Sequence, residues 1–170
     1  KMTTKLYSGE ELNTVFNSNI NNKLFFNKVA IDSREVSNRG IFFAIKGDHD
    51  DGHRYVSGVL KNKNNLAIIS KGPKNTRSIR SKNTLESLRN LASYARQRSK
   101  AKIVAITGSC GKTSLKNLLN SSLSKIGKTH CSPKSFNNHF GVPYSLANLS
   151  SDNKYGIFEL GMSSKGEIDN

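Results

Sequence analysis

Short apolar runs, separated by polar turns and amphipathic stretches, set the pattern of the chain. Runs of four to six residues rich in Ile, Val and Phe are typical of strands that a parallel sheet buries on both faces. The pattern predicts strands at 28–31, 41–45, 66–69, 102–106, 128–131 and 155–160. Helical stretches alternate with these strands, which favours an α/β fold with parallel sheets and crossover helices.

Three longer stretches have helical spacing. Ser8 and Glu11 have the spacing of a capping box, which predicts a short helix immediately after Ser8. Leucines and alanines recur on one face of a predicted helix over 84–99. A further helix is expected over 112–126, with Gly127 as its C-cap.

The sequence pattern of the chain differs before and after the helix predicted over 84–99. Residues 71–83 are rich in Gly, Pro, Ser, Asn and Arg and are predicted to form a loop. We expect a small N-terminal mixed α/β domain over 1–99 and a parallel-sheet domain over 100–170, with the boundary near residue 100.

The net charge narrows the classes of partner that the chain could bind. The 170 residues carry a formal net charge of +15, and residues 61–102 hold 12 Lys or Arg against one acid. Such a field attracts nucleic acid, anionic lipid or phosphate-rich metabolites. Only Tyr94 is aromatic in that run, so it offers no base-stacking platform and we expect no nucleic acid partner.

Location is predicted from the same composition. Cys110 and Cys131 are the only cysteines, too few for a disulfide framework or a four-cysteine zinc site, which favours a reducing cytoplasm. No apolar run approaches the 18 to 20 residues of a membrane span, and none is expected.

The strongest chemical signal is a glycine-rich turn between a predicted strand and a predicted helix. Its residues are Thr107, Gly108, Ser109, Cys110, Gly111, Lys112, Thr113 and Ser114. Glycines aim backbone N–H groups inward, Lys112 can reach the β- and γ-phosphates, and the Thr113 hydroxyl can bind Mg²⁺. Ile106 stands where the common phosphate-loop pattern has its first glycine, so the loop is the shorter G-x-x-G-K-T form. The turn predicts a bound nucleoside triphosphate with Mg²⁺, and Cys110 is interpreted as packing.

Other polar residues admit both a chemical and a structural interpretation. Glu159 ends a predicted strand, where a metal-binding carboxylate or an ordinary surface acid would lie. Asn137 and Asn138 are either turn-forming or ligand-binding residues. The polar cluster His49, Asp50, Asp51 and His53 fits no zinc pattern and is interpreted as a solvated turn.

Several motifs in order along the chain resemble those of the Mur ligases, ATP-dependent amide-bond-forming enzymes of peptidoglycan precursor synthesis. The phosphate loop has this family's short form. The segments 135–143, 159–161 and 166–168 (SFNNHFGVP, ELG and GEI) also match it. In the N-terminal half, Asp32-Ser33-Arg34, 40–47 and Asp51-Gly52-His53 resemble the family's UDP-binding domain.

The resemblance implies a function and roles for the candidate residues. It is strongest to the member that uses ATP and Mg²⁺ to join D-alanyl-D-alanine to UDP-N-acetylmuramoyl-tripeptide through an acyl phosphate. It implies catalytic roles for Lys112 and Glu159, metal binding by Thr113 and Glu159, and nucleotide contacts from residues 108–114, Asn137 and Asn138. Ser33 and Arg34 would bind the uridine diphosphate.

The same resemblance implies the organisation of the protein. Residues 1–99 would be the UDP-sugar-peptide-binding domain and 100–170 the first part of a P-loop ATPase domain, in a cytoplasmic monomer. The rest of that domain and a third domain would lie beyond residue 170, so the chain would be an N-terminal fragment, inactive alone. Another Mur-type ligase, a nucleotide-binding module without catalysis and a basic nucleic-acid-binding domain remain alternatives.

Overall fold

The computed structural model describes residues 5–48, 50–72, 76–133 and 139–161. The chain divides into two compact units between Tyr94 and Ala95, inside a long helix. The sequence analysis placed the boundary a few residues later, near residue 100.

The first unit is a parallel sheet preceded by a short antiparallel pair. The pair is β1 (Tyr7–Ser8) with β2 (Phe25–Phe26), and helix α1 (Gly9–Phe16) lies between them. Four strands follow in the order β3 (Lys28–Ala30), β4 (Gly40–Phe43), β5 (Leu66–Ile69) and β6 (Ser78–Arg80), and all neighbours are parallel. Helix α2 (Val56–Val59) lies between β4 and β5, and α3 (Thr84–Arg98) follows β6.

Apolar packing explains why these short strands form. Beside α2, the core cluster consists of Phe42, Ala44, Val59, Leu60, Ala67 and Ile69. On α3 the predicted apolar face is confirmed, because Leu88, Leu91, Ala92 and Ala95 are buried and Leu85 is half-buried. Burying such side chains contributes about 1.5–3 kcal/mol each.

The loop predicted over 71–83 is wrong in part, because it contains β6. This three-residue strand is too short to show a periodicity, and tertiary hydrogen bonds hold its ends. Arg77 donates to the carbonyl oxygens of Leu60 and Asn62 at 2.7 and 2.9 Å, and Arg80 donates to the carbonyl of Ser70 at 3.2 Å. Two cations of the basic run 61–102 therefore contact the backbone.

The second unit holds a three-stranded parallel sheet in the order β7–β9–β8. The strands are β7 (Lys102–Ile106), β8 (Thr129–Cys131) and β9 (Tyr155–Glu159), with α4 (Lys112–Leu123) after β7 and α5 (Gly141–Ala147) after β8. Both pairings are parallel, which confirms the predicted α/β class. Ala101, Leu149 and Phe158 form its core cluster.

Helix α4 ends three residues before its predicted end, and the predicted C-cap at Gly127 is wrong. Ser124 is the C-cap, and Ile126 and Gly127 then donate to the Leu123 carbonyl in a tighter turn. Gly127 has a packing role instead, since a Cβ there would lie 2.5 Å from Cδ of Lys154. No helix within the described ranges is long and apolar enough to cross a bilayer.

The capping box at the start of α1 is confirmed and gives a first prediction. Ser8 Oγ accepts the N–H of Glu11 at 3.2 Å, and Glu11 Oε2 accepts the N–H of Ser8 at 2.7 Å. Ser8→Ala should lower the free energy of unfolding by about 1 kcal/mol, because the first turn loses its acceptor. Urea denaturation measures the change. Thr14→Ala, on the same helix, is the control and should cost less, since alanine favours the helix.

A half-buried histidine on β8 predicts acid sensitivity. Burial lowers the pKa of His130 to about 4, and its Nε2 lies 3.1 Å from Ser145 Oγ. The unfolded chain titrates near 6.5, so between pH 6.5 and 4 it binds more protons than the folded chain, and stability falls as the pH falls.

Replacing this histidine should remove that sensitivity. From pH 7 to pH 4.5 the wild-type protein should lose about 2 kcal/mol more unfolding free energy than His130→Gln, measured by urea denaturation at each pH. Equal losses in both proteins would contradict the assignment, because carboxylates elsewhere would then account for the whole effect.

Candidate functional site

The phosphate loop connects β7 to α4 through two glycines in backbone conformations that other residues rarely adopt. Gly108 has φ of 146° and Gly111, the N-cap of α4, has φ of 74°. A Cβ at Gly111 would meet no atom within 4 Å, so the requirement for glycine there is conformational rather than steric. The turn leads directly into the N-terminus of a 12-residue helix, where backbone N–H groups lack helical partners.

Lys112 folds back on its own loop. It is the first residue of α4, and its Nζ donates to the carbonyl oxygen of Gly108. Residues 107–111 are exposed around it. A phosphate placed in the loop would therefore compete with one carbonyl group for this ammonium, while the loop backbone stays accessible.

Thr113 and Glu159 meet although 46 positions separate them. The parallel register sets Glu159 of β9 opposite Ile106 of β7, the last residue before the loop. Thr113 Oγ1 donates to Glu159 Oε2 at 3.1 Å. The carboxyl ends of neighbouring parallel strands share one sheet edge, so the sheet itself brings this carboxylate to the phosphate loop.

Lys116 is a site residue that the sequence analysis missed. Its Nζ lies 3.2 Å from Glu159 Oε2, and the two side chains are 3% and 2% exposed. The available signal was its spacing, three residues after Thr113 and four after Lys112, which places all three on neighbouring positions of α4. Nothing in the sequence identified Glu159 as its partner.

Ser132 fixes the backbone at the end of β9. It lies just beyond β8, is buried, and its Oγ accepts the N–H of Glu159 at 3.0 Å. The same hydroxyl donates to the carbonyl of Ile157 at 3.2 Å. The neighbouring Cys131 is half-buried, and burial raises the pKa of its thiol, which does not favour a thiolate nucleophile.

The oxygen donors of the site fit magnesium. A hydroxyl and a carboxylate lie within hydrogen-bond distance at the sheet edge, beside a loop suited to phosphate, and Mg²⁺ prefers such ligands together with phosphate oxygens and water. Across the described ranges, no group of three or more His, Cys, Asp or Glu residues forms a separate metal site. Thr113 and Glu159 could hold such an ion.

Of the remaining predicted nucleotide contacts, Ser109, Cys110 and Ser114 belong to the described residues. Asn137 and Asn138 lie outside the described residues, and so does the segment 166–168. Ser109, Cys110 and Ser114 are exposed, in the loop or the first turn of α4. Cys110 is a free cysteine.

In the first unit, Ser33 and Arg34 lie in a 3₁₀ turn after β3. Asp32 caps this turn by accepting the N–H of Arg34 at 2.9 Å. The Arg34 guanidinium also contacts both oxygens of Asp32, with Nε at 3.0 Å from Oδ1 and Nη2 at 2.7 Å from Oδ2. The Arg34 side chain is 87% exposed, so the pair orients the guanidinium without covering it.

The solvated turn predicted around His49, Asp50, Asp51 and His53 is wrong for His53. This side chain is 8% exposed, and its Nδ1 lies 2.6 Å from Asp51 Oδ1. The N–H of Ser70 donates to His53 Nε2 at 2.9 Å, so Nε2 is an acceptor while Nδ1 faces Asp51. A hydrogen bond from Lys71, followed by those from His53, lowers the pKa of Asp51. His49 lies outside the described residues.

This network joins the 3₁₀ turn 52–55 to the end of β5. Beside it is a hollow of about 650 Å³ with cationic and apolar walls. Its lining includes Arg54, Lys61, Lys71 and Arg77, over Leu60 and Ile69. The turn and the strand end are therefore held together by half-buried polar contacts next to a basic cleft.

Comparison with known proteins gives a family match for the C-terminal part of the chain. Residues 106–170 match the family described as "Mur ligase middle domain".

The similar proteins are ligases of one named activity. The chain is 39% identical over 146 residues to the UDP-N-acetylmuramoyl-tripeptide–D-alanyl-D-alanine ligase of Buchnera aphidicola from Acyrthosiphon pisum, covering 85% of this chain and 32% of that protein. It is 35% identical to the ligase of the same name from Rickettsia prowazekii, covering 96% and 37%.

Solved structures agree with the sequence relatives. MurF from Acinetobacter baumannii matches with a TM-score of 0.82 and 28% identity, over 99% of this chain and 38% of that one. MurF ligase from Thermotoga maritima, solved in complex with ADP, matches with a TM-score of 0.68 and 27% identity, over 83% and 33%. The chain thus spans about a third of the length of the relatives it matches.

The contacts of Ser132 lead to a prediction. Ser132→Ala removes the buried acceptor of the Glu159 N–H and should lower the free energy of unfolding by about 1–3 kcal/mol. Thermal and urea denaturation measure it. Ser151→Ala, at an exposed position in the turn before β9, is the matched control and should change stability little. An equal, small effect of both variants would mean that Ser132 does not hold the strand end.

Proposed function

We propose that this chain supplies the phosphate-binding and metal-binding groups, and the first substrate contacts, of an ATP-dependent ligase. Its reaction would join D-alanyl-D-alanine to UDP-N-acetylmuramoyl-tripeptide in the cytoplasm. The observation that carries the proposal is the 3.1 Å contact between Thr113 and Glu159 beside the phosphate loop. The activity for which the relatives are named supports the choice of these substrates.

The chemistry explains why the reaction requires ATP. A carboxylate and an amine do not condense unaided near neutral pH. In the first step a tripeptide carboxylate oxygen attacks the γ-phosphorus of ATP, the bond to ADP breaks, and an acyl phosphate forms. In the second step the amine nitrogen attacks the acyl carbon, the bond to the phosphate oxygen breaks, and the nitrogen releases a proton. Catalysis then depends on positioning the reacting groups and on neutralising the negative charge of the phosphates.

Each residue of the loop has a part in that positioning. Lys112 would exchange its bond to the Gly108 carbonyl for a γ-phosphate oxygen, and the N–H groups of residues 108–114 would surround the other phosphates. Thr113 and Glu159 would hold Mg²⁺, which neutralises charge on the β- and γ-phosphates when bound. Asn137 and Asn138 would add amide contacts to the nucleotide.

The first unit would bind the uridine diphosphate part of the substrate. Arg34 supports this proposal, because its guanidinium is exposed and held in a defined orientation by Asp32. An arginine so placed can make two parallel hydrogen bonds to one phosphate group. Ser33, half-buried in the same turn, would contribute a hydroxyl contact.

Nucleotide binding tests the proposal directly. The purified chain is titrated with ATP by calorimetry, with and without Mg²⁺, and Lys112→Ala is compared with wild type. The variant should bind at least about tenfold more weakly, because a charge-assisted contact to phosphate is lost. Lys125→Ala, which removes an exposed lysine just after α4, should bind like wild type. Equal affinity in Lys112→Ala and wild type would refute the role of the loop lysine.

Ligation is measured separately as phosphate release in the presence of UDP-N-acetylmuramoyl-tripeptide and D-alanyl-D-alanine. Release that requires both substrates together supports the ligase. Because the chain spans about a third of the length of its relatives, we expect it to bind ATP without such release when it is tested alone, and we expect release in a protein of the relatives' full length that contains it. ATP binding without release in that longer protein would identify a nucleotide-binding module.

A further inference from the structure

The buried cation of the phosphate-loop site has no role in the reaction described above. Lys116 Nζ lies 3.2 Å from Glu159 Oε2, and neither side chain exposes more than 3% of its surface. A lysine is rarely buried so deeply unless it is paired. The pair therefore accounts for how the site can hold a buried carboxylate without a metal ion.

Two side chains contact the same oxygen of this carboxylate. Thr113 Oγ1 donates to Glu159 Oε2 at 3.1 Å, and Lys116 reaches the same atom. A divalent ion bound by Thr113 and Glu159 would thus be close to an ammonium. Like charges at such short range repel strongly where water is excluded, so Lys116 opposes binding of the ion.

We propose that Lys116 is the resident counter-cation of Glu159. It neutralises the carboxylate while the nucleotide site is empty, and it weakens binding of free Mg²⁺ so that the ion binds together with the negative charge of the triphosphate. This inference rests on the proposed function, since it assigns the metal to Thr113 and Glu159.

The backbone contacts separate this role from simple positioning. The N–H of Glu159 donates to the buried Ser132 Oγ, and the parallel register holds Glu159 opposite Ile106. Neither contact involves Lys116. Removing the ammonium should therefore change the charge at the site while the end of β9 stays in place.

Magnesium alone is the probe, and thermal unfolding is the readout. Lys116→Met keeps the side-chain length and removes the charge, and Lys116→Arg keeps the charge. Lys128→Met is the matched control, because it removes one charge from an exposed pair with Asp152 in the same unit, at 2.6 Å. Each protein is melted over a series of MgCl₂ concentrations, with NaCl at equal ionic strength as the reference.

The expected result is specific to one variant. Lys116→Met should be less stable than wild type without Mg²⁺ and should gain more from it, with a Kd for Mg²⁺ lower by about tenfold or more. Lys116→Arg and Lys128→Met should respond like wild type. Should Lys116→Met fail to fold in metal-free buffer, MgCl₂ should restore its folding where NaCl does not.

Three outcomes would overturn the inference. The first is an unchanged Kd for Mg²⁺ in Lys116→Met, and the second is a higher Kd, which means weaker binding. The third is an unfolded Lys116→Met whose folding MgCl₂ does not restore. The proposed function fails by a different measurement, namely the absence of Mg²⁺-dependent ATP binding by the wild-type chain. Normal ATP binding together with any of the three outcomes refutes the counter-cation alone.

Discussion

The position of one carboxylate determines the chemistry of the second unit. Glu159 ends the central strand of a parallel sheet, opposite the residue that precedes the phosphate loop. The hydroxyl of Thr113 and the ammonium of Lys116 converge on it from α4, and Ser132 holds its backbone from the end of β8. A buried carboxylate is costly unless it is paired, so these contacts are a condition for keeping it beside the loop.

The first unit follows the same geometrical rule with different residues. Polar side chains of this unit also lie just beyond the ends of parallel strands. Arg34 lies in the turn that follows β3, and Lys71 lies shortly after β5. Asp51 and His53 fasten the intervening turn to the end of β5 through Ser70 and Lys71. Each unit therefore displays polar groups at the carboxyl edge of a parallel sheet, the edge at which α/β proteins bind ligands.

The proposed function accounts for two ligand-binding edges in one chain. The similar ligases act on a uridine-diphosphate sugar peptide, and MurF ligase of Thermotoga maritima was solved with ADP. A substrate phosphate and a nucleotide phosphate both require positive charge without a fixed base-reading surface, which agrees with a net charge of +15 and one aromatic residue in the basic run 61–102.

The sequence alone determined the features that depend on neighbours along the chain. The capping box at Ser8, the apolar face of α3 and the two glycines before Lys112 could be predicted, because helix caps, helical faces and positive φ angles follow from residues a few positions apart. Only the tertiary structure decided that Lys116 meets Glu159, that His53 contacts Ser70, and that β6 forms within a predicted loop. Those outcomes depend on strand register and on partners 11 to 43 positions away. These contacts contribute to stability only once the sheet is assembled.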